Sequence, residues 1–242
     1  MKTIIPALVA ALALAASGFG QAFTGTYTFA DVTTVSGTTD PTAVPTADGV
    51  TFGSFSSVGV SANPNAGSRF SFTGWTTGAS DGSNTFSGGI DLSDYFQVTI
   101  APAALYSIDL TSVAFTLQRS GTGIRQYSIR SSLDGYATNL AASISPPNAN
   151  LSVVAGDIFQ VADPIITAQN GSLLSLTGSF LELEAPVTFR FYAWNSETSG
   201  GTFSIDNVAF TGTATAIPEP STYAAIMGVV TLAVVLYRRR KA

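Results

Sequence analysis

Val187-Thr188-Phe189-Arg190-Phe191-Tyr192 and, just after it, Phe203-Ser204-Ile205-Asp206-Asn207-Val208-Ala209-Phe210 decide the fold class of this chain. In the first, and at both ends of the second, apolar or aromatic residues alternate with polar ones. That is the period-two signature of a strand with one buried face. Working outward, residues 26–30, 69–73, 95–100, 112–117 and 126–131 repeat the pattern, with Gly, Ser, Asn and Pro between them. No stretch in the middle of the chain carries a helical period, so a parallel α/β fold has no helices to make its connections. The expectation is an all-β domain, an antiparallel two-sheet sandwich of jelly-roll type. Ser120-Gly121-Thr122-Gly123 predicts a hairpin, Asp134-Gly135 a turn, and Ser145-Pro146-Pro147-Asn148 a break in the chain. Residues 33–64, rich in Gly, Thr and Pro, read as loop with one or two strands near residues 50–55.

Composition limits the chemistry. The 242 residues include no Cys and no His, and the net charge is −5. The only lysines are Lys2 and Lys241, at the two ends. Between residues 23 and 217 the basic residues are Arg69, Arg119, Arg125, Arg130 and Arg190, outnumbered by Asp and Glu. Disulfides, Ser-His-Asp and Cys-His nucleophiles, Ser-Lys dyads in the domain and metal sites built on His or Cys are all excluded. A dilute acidic surface lacks the basic footprint that nucleic-acid binding requires.

The ends are organised differently. Met1-Lys2 is a charged start, residues 4–16 are almost wholly apolar, and Gly20-Gln21-Ala22 has the small-x-small form of a cleavage site. Residues 1–22 therefore read as a secretory signal peptide cleaved after Ala22, which implies the Sec translocon and signal peptidase as partners. At the other end, Thr213-Ala214-Thr215-Ala216 reads as a small-residue linker, placing the sandwich at 23–212 and a tail at 213–242. The tail holds Pro218-Glu219-Pro220, an apolar stretch over 221–237, and the basic end Arg238-Arg239-Arg240-Lys241. The two prolines hold their segment extended and accessible. As a helix the apolar stretch would measure roughly 25 Å, near the lower limit for a transmembrane span. The basic cluster would keep the C-terminus on the cytoplasmic side of the inner membrane, with the sandwich outside.

Pro218-Glu219-Pro220-Ser221-Thr222, a short apolar helix and an arginine-rich end, in that order, resemble the PEP-CTERM sorting signal of Gram-negative bacteria. Ile217 stands where Val is commoner. The resemblance covers about the last tenth of the chain. It implies that exosortase, a membrane enzyme, reads Pro218, Glu219 and Pro220 as a recognition site. It also implies that the protein ends at the cell surface or in the extracellular matrix of a biofilm. Residues 95–136, with Tyr95-Phe96, Ser107-Ile108-Asp109-Leu110, Arg119 and residues 129–136, resemble a recurrent ectodomain of such proteins. Residues 201–208 are similar to the last strand of galactose-binding-like jelly rolls, which implies a fold more than a function.

For a site within the sandwich the candidates are few. Arg190, Tyr192 and Trp194 share one face of a strand, so they form the candidate platform for a sugar, by stacking and hydrogen bonding. Trp75 and Tyr127 are further aromatics of this kind, although large aromatics also dominate sandwich cores. Jelly rolls similar to this one can hold a structural Ca²⁺ through a closing-strand Asp. That makes Asp206 the candidate ligand, with Asp31 as a first-strand partner, since oxygen donors are the only ones left; no other cofactor is expected. Glu182 and Glu184 read as one solvated face of a strand whose leucines point inward, and Asp91 and Asp94 as turn residues. Arg119, Arg125 and Arg130 read as members of surface ion pairs. The first functional expectation is thus an exported surface or matrix protein without catalysis of its own. The alternatives are a carbohydrate-binding or adhesive module for exopolysaccharide and, third, a glycan hydrolase of carboxylate type.

Overall fold

The computed structural model describes residues 20–62, 67–218 and 220–240, with the side chains of 220–226 left aside. Fifteen strands and one helix follow in chain order: β1 (Gln21–Tyr27), β2 (Val50–Phe52), β3 (Ser56–Val58), β4 (Ser61–Ala62), β5 (Phe70–Thr73), β6 (Thr76–Thr77), β7 (Tyr95–Pro102), β8 (Tyr106–Arg119), β9 (Gln126–Ser131), β10 (Ala142–Ile144), β11 (Leu151–Val154), β12 (Ile158–Val161), β13 (Gln169–Ser175), β14 (Val187–Ser196), β15 (Phe203–Ala216) and α1 (Pro220–Arg239). Among the described residues they form two sheets. The first runs β10-β13-β8-β15-β5-β4, with β1 also paired to β15. The second runs β11-β12-β9-β14-β7-β2, with β3 also on β7 and β6 on β14. The ladders are antiparallel apart from β6 with β14. The expected all-β, two-sheet antiparallel architecture is present.

The alternation read from the sequence decides what faces inward. Phe189, Phe191 and Ala193 of β14 are buried between the sheets, while Thr188, Arg190, Tyr192 and Trp194 lie on the outer face of the second sheet. Aromatic rings join the layers. Phe96 of β7 stacks on Phe203 of β15 at 5.2 Å, and Phe115 of β8 meets Phe191 edge-on at 5.4 Å. Trp75 is wedged against Phe96 and Phe203 at 5.2 and 5.3 Å, and its Nε1 donates to the Phe72 carbonyl at 2.9 Å. Trp75 and Tyr127 are therefore core residues, with a polar handle satisfied inside the core.

Three local expectations are corrected. Ser120-Gly121-Thr122-Gly123 does not close a hairpin: it joins β8 in the first sheet to β9 in the second. The segment is bound to the neighbouring 197–202 loop instead, through Ser120 N–H donating to Thr202 Oγ1 and Glu197 N–H donating to the Thr122 carbonyl. Residues 213–216 are not a linker. They complete β15, pairing with β8 over their whole length, and Ala214 lies in the core because Thr and Ala alternate there. Leu181-Glu182-Leu183-Glu184 is not a strand with leucines inside. Leu181 is exposed, Glu182 has φ of +53°, and only Leu183 is buried, bridging Ile108.

Asp134-Gly135 does form the expected turn. A 3₁₀ turn over Ser132–Asp134 ends at Gly135, whose φ of +69° is in the region glycine adopts without strain. β10 and β11 are likewise separated by the Ser145–Asn148 break.

The C-terminal segment is helical as expected, yet among the described residues no helix is long and apolar enough to cross a membrane. The expected transmembrane helix over 221–237 is thus not borne out. The stretch has only seventeen residues before Arg238, against the ~20 that a bilayer core asks for, and Gly228 and Thr231 dilute its apolarity. Residues 1–19, Glu219 and Lys241 lie outside the described residues, and with them most of the signal peptide, the centre of the Pro-Glu-Pro motif and the last basic residue.

Candidate functional site

The outer face of the second sheet carries the residues singled out from the sequence. Tyr192 and Trp194 are only 1% and 4% exposed, so their rings do not form an open sugar platform. With Tyr95 they make a small second cluster outside the main core, against which Ile90 and Ile158 pack. Trp194 Nε1 donates to Gln126 Oε1 at 3.0 Å, and Asn195 Nδ2 donates to the same oxygen at 2.7 Å. The accessible member is the arginine. The guanidinium of the half-buried Arg190 lies over two tyrosine rings, 4.1 Å from the centre of Tyr95 and 3.8 Å from that of Tyr136. It also meets the Tyr192 hydroxyl.

Register adds a second cation. Arg190 is directly opposite Arg130 of β9 on one side and Gln97 of β7 on the other. Arg130 lies 5.7 Å from the Tyr192 ring centre, and its Nε and Nη1 donate to Asn139 Oδ1 and the Tyr136 carbonyl at 2.8 and 3.0 Å. Among the described residues neither Arg130 nor Arg190 has an ion-pair partner. Tyr95, Tyr136, Gln97 and Arg130 are absent from the sequence-derived site. Alternation places Arg130 and Arg190 each on the polar face of its strand, but nothing local tells that β9 and β14 are neighbours.

The other two arginines are not surface ion pairs. Arg119 and Arg125 are 2% and 0% exposed. Arg119 reaches Glu197 at 3.0 Å and Asp163 at 3.4 Å, and Arg125 reaches Asp163 at 3.3 Å. Arg125 further donates from Nε to the Val161 carbonyl, from Nη1 to the Ser83 carbonyl and from Nη2 to Asn84 Oδ1. Its guanidinium lies 5.4 Å from the Phe86 ring centre. Asp163 accepts the Gly82 N–H at 2.6 Å, and Asn195 Oδ1 accepts the Gly88 N–H at 2.9 Å. The irregular segment between β6 and β7 is thereby strapped over the second sheet, which is why Ile90 covers the Tyr95–Tyr192–Trp194 cluster.

Asp206 serves the backbone. β15 has an irregularity between Asp206 and Ala209, where Asn207 takes φ of +49°. Asp206 Oδ1 accepts the Asn207 N–H at 2.7 Å, and Oδ2 accepts its side-chain amide at 3.0 Å. Burial raises the Asp206 carboxyl above the usual carboxylate range, against the lowering pull of the Asn207 N–H and of Arg69. A neighbouring guanidinium is a poor companion for Ca²⁺, and among the described residues no three acidic groups cluster as metal ligands. Asp31 is exposed, its N–H donates to Thr42 Oγ1, and among the described residues no hydrogen bond joins it to Asp206. Beside Asp206, an open groove of about 360 Å³ is lined by Arg69, Gln118, Ser120, Thr202 and Ser204 among others. Gln118 already donates to the Ile166 carbonyl, and Arg69 has Asp206 as its electrostatic counterpart. Asp91 is the turn residue expected, accepting both the N–H and the hydroxyl of Ser93. Glu182 and Glu184 are exposed and lie outside the strands, and the Glu182 N–H donates to Asp109 Oδ1 at 2.6 Å.

No protein-family model and no curated protein sequence matches this chain. Among solved structures, a carbohydrate binding module of family 29 aligns over 79% of this chain and 89% of its own, at 10% identity and a TM-score of 0.34. The K2 cleaved adhesin domain of Lys-gingipain aligns over 78% and 97%, at 13% identity and a TM-score of 0.32. At these scores neither likeness bears on function.

The two ends of the domain meet on one edge. Gln21 and Ala22 open β1 opposite Ala214 and Thr213 of β15, so the bond after Ala22 falls inside the first strand. Cleavage there would leave Phe23, a buried residue, as the new N-terminus. At the other end Ile217 N–H donates to the Leu105 carbonyl at 2.7 Å, and Pro218 comes next. Beyond it Met227, Val229, Leu232, Val234 and Leu236 are all more than half exposed or close to it. Arg238, Arg239 and Arg240 are exposed beyond this apolar run.

Proposed function

We propose that this chain is an exported surface or matrix protein of a Gram-negative bacterium, sorted by exosortase through Pro218-Glu219-Pro220, whose β-sandwich has no catalysis of its own. One observation carries the reading. The sandwich is complete at Ala216, and beyond it runs a helix on which most of the described apolar side chains are left uncovered, Met227 64% and Leu232 60% exposed. Exposed apolar side chains gathered on one helix mark a surface that meets lipid or another protein. The basic end of the helix suits a surface of anionic headgroups, and Arg238 and Arg239 complement the negative end of the helix dipole. The tail would hold the precursor at the inner membrane while exosortase reads the adjoining prolines. An apolar tail of this length, marginal for spanning, suits a hold that is temporary.

The test is intact-mass analysis of the protein recovered from the outer surface, in a host with and without exosortase. Loss of the chain from about Pro218 onward, only when exosortase is present, is the expected result. Recovery of the uncut tail on the surface in both hosts would sink the sorting reading.

A further inference from the structure

The geometry points to a binding site for the carboxylates of an acidic polysaccharide on the outer face of the second sheet, centred on Arg130 and Arg190. Like charges directly opposite on neighbouring strands are destabilising. Arg190 and Arg130 stand in that relation, and among the described residues neither has a carboxylate as ion-pair partner. This occurs in a chain of net charge −5, where acidic residues are in excess. Arg119 and Arg125, the other close pair, do have carboxylates between and beside them.

The two cations are held in place before any ligand arrives. The rings of Tyr95 and Tyr136 both pack against the Arg190 guanidinium, and Asn139 and the Tyr136 carbonyl fix Arg130. Stacking on rings fixes the plane of a guanidinium while leaving its edge donors free. The Nε of Arg190 is buried and has no hydrogen-bond partner. A guanidinium carries five donors, so both arginines retain some for a planar, two-oxygen acceptor such as a carboxylate.

The shape of the patch selects a polymer. Ser56, Gln97, Arg190 and Arg130 form one row across β3, β7, β14 and β9, each directly opposite the next. At the usual inter-strand spacing of ~4.8 Å this row is about 14 Å long. One end offers a hydroxyl and an amide, and the other offers charge. That suits a run of linked, hydroxylated, carboxylate-bearing units better than a lone inorganic anion. The site does not depend on the tail and stands or falls separately from the sorting reading.

The experiment is affinity electrophoresis of the full chain, in non-ionic detergent, through gels containing sodium alginate or neutral dextran. Alginate should retard the protein and dextran should not. Arg130→Gln and Arg190→Gln should each weaken the retardation by alginate at least tenfold, with near-UV circular dichroism unchanged. Arg69→Gln, which removes one positive charge elsewhere, should leave it intact. Arg190→Lys keeps the charge but not the planar edge, and should bind more weakly than the parent. Equal retardation by dextran, or alginate binding that survives Arg130→Gln, would overturn the proposal; the latter would assign binding to the basic tail. A loss from Arg69→Gln equal to that from Arg130→Gln would overturn it too, as a matter of overall charge.

Discussion

Asp163 Oδ1 lies 3.3 Å from Nη1 of Arg125, a guanidinium with no exposure to solvent. The same oxygen is 3.4 Å from Arg119, so one carboxylate serves two buried cations. Through Gly82, Ser83 and Asn84 the group also fastens the strap that covers the outer face of the second sheet. The position of that strap decides which aromatic residues are open and which are closed.

Removing the carboxylate should be costly. Asp163→Asn keeps an acceptor for Gly82 but leaves Arg125 without its counter-charge, and breaking a buried pair typically costs about 3–5 kcal/mol. Burial pushes the Asp163 carboxyl up, but the Gly82 N–H and the guanidiniums of Arg125 and Arg119 outweigh it and hold the group below the usual carboxylate range. A depressed folded-state value means that the stabilisation is present above about pH 4, the value of an unfolded Asp, and is lost as pH falls through the folded value. Urea unfolding of the parent and Asp163→Asn should therefore show a large gap at pH 7 that narrows at pH 3. A gap of constant size across that range would contradict the assignment.

Both tryptophans should report a closed environment. Trp75 lies in the main core and Trp194 under the strap, each with its indole N–H bonded inside the protein. Their fluorescence should be blue-shifted and poorly quenched by acrylamide. Trp194→Ala should cost about 3–5 kcal/mol, as for other large-to-small changes at buried sites. If Trp194 were a sugar platform on an open face, its emission would be quenched readily and the substitution would cost little stability.

Gly212 should not tolerate a side chain. It sits at the second irregularity of β15, opposite Leu110, and a Cβ there would run into the Asp109 carbonyl and approach the Phe23 ring. The backbone oxygen cannot move without breaking the β8–β15 ladder. Gly212→Ala should destabilise the domain by about 1–3 kcal/mol, the usual range for overpacking, read as a lower urea midpoint.

The strands are legible in the sequence wherever one face is apolar. Alternation gives Gln126–Ser131 its observed limits, and it also marks the starts of β7, β14 and β15. The second half of β15 escapes because Thr and Ala carry a weak hydrophobic contrast, although the period of two is there in Thr213 to Ala216. Residues between β9 and β14 reveal little, since their strands are short: β10 pairs with β13, about thirty residues on, and β12, although it forms a hairpin with β11, joins the sheet through β9. The arginines show the limit most clearly. Their strand faces follow from alternation, but whether each meets a carboxylate, a ring or another arginine depends on sheet order and on a strap joined to it from residues 79–94. Asp163 and Arg125 are distant in sequence, and no spacing rule links them.

The boundary between domain and tail can be tested by truncation. A chain ending at Ile217 keeps all of β15 and should unfold at the same urea midpoint as the full chain, because among the described residues no strand packs extensively along α1. It should also stop partitioning into detergent or lipid. A chain ending at Gly212 loses the pairing of Thr213 to Ala216 with β8, the pairing of Thr213 and Ala214 with β1, and the burial of Ala214. At about 1 kcal/mol net for each hydrogen bond, that truncation should cost about 3 kcal/mol or more. The comparison separates two physical roles for adjacent residues. If the two truncations were equally stable, residues 213–216 would be the linker that their composition suggests. A large difference would mean that the closing strand extends to the edge of the sorting segment, leaving only Ile217 between the folded sheet and Pro218.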